Sequence, residues 1–337
     1  MNPTVRAALL AGALLAASAP AAAQANVIRI PGKVVEVIGL EEWTVAMLQD
    51  SLRAHGEVSL DSHACAAVLQ EKLGFPVATS SSYRFAGDTV EHVVVTLVEP
   101  GAAARVRRLK LGADTLTLVP EWGAARGALG RWAGVFLTAV QMNDARDPLP
   151  EPFRKDSAGF RLAWAFLDAH GTAADRALAR RVLRADSGMY SRVIAASLLG
   201  RAPAEATDGD WHAAVRATRD TEDRVAAAAG MSLAALARAP RRVDWAPAVN
   251  DVHAVLDGAS LWHLDEVMAA LVASGADSRW AAPFLAGGGH AVLARLQSSS
   301  PRVRGPAHRL LVALRGEDLG ADEAAWRAWV GSLRRAE

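Results

Sequence analysis

The stretch DTEDRVAAAAGMSLAAL, residues 220–236, decides how this chain reads. Val225, Ala229 and Leu233 fall at i, i+4 and i+8, which on a helix makes one apolar stripe. The same ladder returns at Leu264–Met268–Val272 and again at Val303–Ala307–Leu311, at a constant interval of 39 residues. A period near 40 with two helices in each unit is the sequence signature of an α-solenoid. Around these ladders, short helical segments such as RLAWAFLDAHG, AADRALARRVLRA and LWHLDEVMAALVASG each end at Gly, Pro, Asp or Ser. MYSRVIAASLLG fits the ladder loosely, with Val193 out of register.

SPRVRGPAHRLLVAL and DTEDRVAAAAGMSLAAL both open on a polar start and run into V-R-x-x-A-x-x-x-L or a variant of it. In this they resemble the second helices of HEAT-type repeats, over roughly residues 157–334. The resemblance implies a curved helical surface that binds a protein or an extended peptide. At the far end Glu317, Asp318, Asp322 and Glu323 come as two adjacent pairs, a spacing that does not match the alternating oxygens of a calcium loop. Asp322 is expected to cap a last helix whose Trp326 and Trp329 close the array.

Upstream the pattern changes. VIRIPGKVVEVIGL reads as strand, Thr44 as the cap of the helix VAMLQDSLRAHG, and Asp61 or Ser62 as the cap of HACAAVLQEKLG. VATSSSYRF and TVEHVVVTLVEP follow as strands joined by a turn at Ala86-Gly87-Asp88. A β-α-α-β-β order predicts three strands with two helices on one face. That order, with a glycine after the first strand and Glu-Pro closing the third, resembles a POTRA-like (polypeptide-transport-associated) module. Known members of that family precede outer-membrane barrels or sit in envelope assembly complexes; here only helices follow. The expected fold is α+β: a small β-α-α-β-β module at 26–100, a linker with short helices at 101–155, and an all-α HEAT-like solenoid at 156–337.

Composition bounds the rest. Hydrophobic residues make up 51% of 337 and aromatics 6%, a mix that suits close-packed, alanine-rich helices. Residues 1–25 read as a signal peptide: Arg6, an apolar run from Ala7 to Ala17, then an A-x-A site at Ala23 and Ala25. The apolar run is too short to span a bilayer. Without Arg6 the formal charge falls from +1 to about 0, so bulk charge gives no reason to seek nucleic acid. Cys65 is the single cysteine, so no internal disulfide is available. The chain is therefore expected in the periplasm or outside a bacterial cell, with no span after signal removal.

Candidate sites are few. His63 and Cys65, two apart on a helix, point to different sides, and no second ligand cluster lies nearby. Gly287-Gly288-Gly289-His290 lacks the G-K-[ST] of a phosphate loop and reads as a turn between repeats. His263 and Glu266 could meet at i, i+3 as a solvated pair. No G-x-S-x-G or H-E-x-x-H occurs. No catalytic, cofactor or metal residue is assigned. Arg180, Arg184, Trp211, Trp262 and Arg304 are the residues expected to hold a protein or peptide partner, because arginine and tryptophan dominate binding anchors. The expected role is a non-catalytic scaffold or adaptor. The alternatives are a small exported enzyme or cofactor-handling protein, with a pocket near His92, Trp122 and His170, and an envelope-biogenesis factor.

Overall fold

Pro31 and Gly32 divide the first apolar stretch in two. β1 (Val27–Ile30) and β2 (Lys33–Ile38) form an antiparallel hairpin with Ile30 opposite Lys33, and Gly32 takes a φ of 74° in the turn. A two-residue hairpin loop asks for such a positive φ, which glycine adopts without a Cβ penalty. In this computed structural model the described residues are 26–56, 58–84, 89–110, 112, 114, 116, 118, 120–142, 151–320 and 322–333. The expected leader, the Ala86-Gly87-Asp88 turn, and Pro148 and Pro150 lie outside them.

The sheet therefore has four strands, in the order β1-β2-β4-β3, where the sequence suggested three. β2 runs parallel to β4 (Glu91–Val98), and β3 (Val77–Tyr83) pairs antiparallel with β4 on its other side. A parallel pair needs a crossover. α1 (Val45–Ala54) and α2 (Ala64–Glu71), followed by β3, provide it. Thr44 caps α1 by accepting the Met47 amide at 3.2 Å. At α2 the Ser62 hydroxyl takes the Ala64 amide, while Asp61 turns away to the Lys33 ammonium at 3.0 Å.

Strand alternation sends Val35, Val37, Val93, Val95 and Leu97 to one face, where they pack on Leu48, Leu52, Cys65 and Leu69 of the two helices. The opposite face is covered as well. Ile38 and Val94 pack on Val303, with Tyr83 and Ala294 beside them. Between them the buried Glu36 carboxylate accepts the Ser298 hydroxyl at 2.6 Å and the Ser299 amide at 2.5 Å. A buried carboxylate survives only with such partners. The first unit thus docks onto a part of the chain some 260 positions later. Glu99, also buried, accepts the amides of Glu41, Glu42 and Trp43 at 2.7–2.9 Å and fixes the turn out of β2.

After a 3-10 turn at Pro100–Arg105, the described residues 106–110, 112, 114, 116 and 118 cross the helical part as a strap. α3 (Pro120–Gln141) follows; among the described residues the expected linker holds one α-helix, of 22 residues, whose Trp122, Leu129, Phe136 and Ala139 are buried in the helical core. Next come α4 (Ser157–Ala169), α5 (Ala173–Ala185), α6 (Met189–Leu199), α7 (Asp208–Ala217) and α8 (Asp223–Ala237). α9 (Val249–Ala254), α10 (Leu264–Ala273), α11 (Ala281–Leu285), α12 (His290–Leu296), α13 (Pro301–Arg315) and α14 (Glu323–Leu333) complete the chain.

Two rows of neighbours emerge. α6 packs on α8, α8 on α10 and α10 on α13; beside them α5, α7, α9, α11 and α14 touch in succession. The ladders sit inside: Val225, Ala229, Leu233, Leu264, Met268, Ala307 and Leu311 are fully buried. α6 is buried on every side from Ser191 to Leu199, as expected for a helix with no polar face. No described helix is long and apolar enough to cross a membrane.

Candidate binding groove

Between α5, α7 and α9 lies a groove of about 280 Å³. Arg180 and Arg184 line it from α5, His212 and Arg216 from α7, Asp251 from α9, and Leu109 of the strap forms part of the wall. Helical spacing puts each set on one face: 180 and 184, and 212 and 216, are i, i+4 pairs. Arg180 is steadied by Asp210, whose carboxylate also completes the capping box of α7 with Thr207. His212 is held against Trp245, with ring centres 5.5 Å apart, and its Nε2 meets the Asp244 carbonyl at 2.7 Å.

The strap crosses the turns that follow α5, α7 and α9. The Arg107 guanidinium reaches Asp257 at 3.4 Å. Arg219 donates to the Arg107 carbonyl at 2.6 and 3.0 Å, and the Leu109 amide donates to the Arg219 carbonyl at 3.2 Å. Farther on, the Ser187 amide donates to the Asp114 carbonyl at 2.8 Å and the Leu116 amide to the Asp186 carboxylate at 3.2 Å. The turns are themselves stitched together. Arg192 grips Asp220 with Nε at 2.9 Å and Nη2 at 3.1 Å, and donates to the Ser187 carbonyl at 2.7 Å.

The structure separates the five residues proposed from sequence. Arg180 and Arg184 share the groove. Trp211 is fully buried, edge-on to Trp245, and offers a partner no surface; its place in the core corrects the expectation that it is a contact residue. Trp262 is half exposed, and Arg304 donates to the Ser298 carbonyl at 3.2 Å; neither lines the groove. Arg216, Arg219, Asp251 and Leu109 belong to the site and escaped the sequence reading. The basic runs VRATRD and RVRRLK were the only signal for Leu109, Arg216 and Arg219, and nothing local says that these two runs meet.

Other titratable groups have structural work. At the joint between sheet and helices, Gly287 leaves room for Asp257 and His253, which lie 3.3 Å apart. Burial pushes the Asp257 carboxyl up. The hydrogen bond and charge of His253, then the charge and backbone amide of His290, bring it below its usual range. His63 bridges the Ser80 carbonyl and the Ser82 hydroxyl, and burial raises the Cys65 thiol to about 11, far from a reactive thiolate. In the acidic stretch, Asp322 accepts the Ala324 amide at 2.9 Å, and Asp318 accepts the Gly320 amide and pairs with His308. Among the described residues, no group of three His, Cys, Asp or Glu side chains could hold a metal ion.

A larger cavity of about 450 Å³ lies between α3 and α4, walled by Leu129, Phe136, Leu162 and Phe166, with Glu121 at its edge. The trio His92, Trp122 and His170 does not line it: Trp122 is fully buried, and His170 stacks on Phe166 and pairs with Asp175. Comparison of the chain with protein-family models, with curated proteins and with solved structures finds no match.

Proposed function

We propose that this protein is an exported, non-catalytic scaffold or adaptor. In this reading a POTRA-like module is docked on a HEAT-like array of helix pairs, and the array presents a groove to a protein partner. The observation that carries it is the strap. A non-helical segment of the chain lies across successive helix-pair turns, held by main-chain hydrogen bonds at Arg219 and Ser187 and by the Asp186 carboxylate. A surface that holds one such segment in this way has the chemistry to hold another. The repeat reading is supported by the α6–α8–α10–α13 succession, in which α8, α10 and α13 bury their ladders in the core. The module reading is supported by the β2-β4-β3 order with α1 and α2 on one face. Strand addition to that module would use β1 or β3, since β1 already occupies the outer edge of β2.

The test is crosslinked affinity purification from the bacterial envelope with the full chain, followed by reconstitution of any enriched protein at defined stoichiometry. A saturable complex with one envelope protein is the expected result. Finding no protein that rebinds the purified chain would end the adaptor reading.

A further inference from the structure

In and around the groove, guanidiniums outnumber the carboxylates that pair with them. Asp210 is shared by Arg176 and Arg180, Asp251 by Arg216 and Arg219, and Asp220 is taken up by Arg192. Those three acids already serve five guanidiniums. Arg184 joins them in the wall, and among the described residues no hydrogen bond or ion pair holds it. Arg107, Arg108 and Lys110 of the strap are exposed close by. The crowding is felt at Arg219: burial lowers its guanidinium below the usual range, Asp251 opposes that, and Arg107 and Arg216 push it down further. A partly desolvated cluster of like charges favours an incoming anion more than the same charges in bulk water would.

The shape narrows the class of anion. At about 280 Å³ the groove falls just below the ~300–1,000 Å³ of pockets that enclose small molecules, yet it can accept a few side chains of a chain laid across it. Leu109, Leu183 and Ala213 add apolar wall between the arginines, which suits alternating acidic and aliphatic side chains. Arg180, Arg184 and Arg216 line a concavity, which an extended chain laid along it contacts more fully than a flat surface does.

We propose that the groove between α5, α7 and α9 binds an extended acidic segment of a protein partner, with its carboxylates on Arg184 and Arg216 and its aliphatic side chains against Leu109 and Leu183. This rests on the adaptor reading above and specifies the chemistry of the partner. Arg180 stays bound to Asp210 and shapes the wall.

Fluorescence anisotropy with the full chain tests it, using a labelled twelve-residue peptide of alternating Glu and Leu, its Gln counterpart, inorganic phosphate as competitor, and phosphatidylglycerol vesicles. The acidic peptide should bind saturably, the Gln peptide at least tenfold more weakly, and raising NaCl from 50 to 300 mM should cost a further tenfold or more. Arg184→Glu and Arg216→Glu should each weaken binding at least tenfold, while Arg161→Glu on α4 leaves it unchanged; the melting curve of Arg184→Glu should match the parent. Equal binding of both peptides, preference for phosphate or vesicles with the same arginine dependence, or no binding at all would overturn the proposal. If Arg184→Glu still captures the envelope partner at full strength, the groove assignment falls and the adaptor reading stands. If the peptide binds as expected but no envelope protein is captured, the reverse holds.

Discussion

Arg192→Met should be among the most damaging single changes in the helical part. Arg192 and Asp220 are 1% and 2% exposed and meet in a two-point grip at 2.9 and 3.1 Å. The third arginine nitrogen donates to the Ser187 carbonyl at 2.7 Å and the Asp186 carbonyl at 3.3 Å. Methionine fills much of the volume but leaves the Asp220 carboxylate buried with the Glu222 amide at 2.9 Å as its remaining donor. Removing one member of a buried pair costs about 3–5 kcal/mol. For a cooperative unit of about 200 residues, at roughly 2–4 °C per kcal/mol, the melting temperature should fall by on the order of 10 °C. The double variant Arg192→Met/Asp220→Leu should recover part of that loss, because an apolar pair can replace a buried ion pair at little cost. Thermal melts followed by far-UV circular dichroism at neutral pH compare the three chains. A single variant within about 1 kcal/mol of the parent would refute the reasoning, since the penalty follows from an unpaired buried charge. So would a double variant less stable than the single.

Three further outcomes follow from the packing. A Cβ at Gly230 would overlap the His263 imidazole, so Gly230→Ala should destabilise by about 1–3 kcal/mol despite alanine's better helix propensity; urea unfolding should show the loss, and Gly230→Ala/His263→Ala should relieve it. Burial holds the His263 imidazole down to about 4, so it stays neutral in the fold, while the unfolded chain gains a proton below about pH 6.5. Stability from His263 is thus present above that pH and lost on the way down to pH 4; Asp265 and Glu266, held high by burial, act with the opposite sign. Between pH 7 and pH 5 the parent should therefore lose about 2 kcal/mol more than His263→Leu, and equal losses would contradict a buried neutral ring. Thr172→Ala removes a capping box in which the hydroxyl and Asp175 serve each other's amides, and should cost about 1 kcal/mol in the same unfolding assay.

The local elements of this fold were legible because they follow from local rules. The Thr44 cap, the Asp322 cap and the three ladders each depend on residues within one to three turns of helix, and all of them stand where the spacing put them. The hairpin at Pro31-Gly32 was also within reach: a Pro-Gly pair inside an apolar run is a turn signal, and strand propensity on either side obscured it. The groove was half legible. Arg180 and Arg184 share a helix face by spacing alone, whereas Trp211, a residue type that favours both interfaces and cores, was assigned to the wrong one of the two.

By itself the sequence determined an α+β chain, with its strands near the start and a long succession of short amphipathic helices after them, since periodicity and caps act over a few residues. Only the tertiary structure decided that the second face of the sheet closes on residues 294–303, that Glu36 meets Ser298, and that the strap runs past Arg219 and Asp186. Those contacts join residues tens to hundreds of positions apart. Their free energy comes from surface complementarity and desolvation, which leave no repeating trace along the chain.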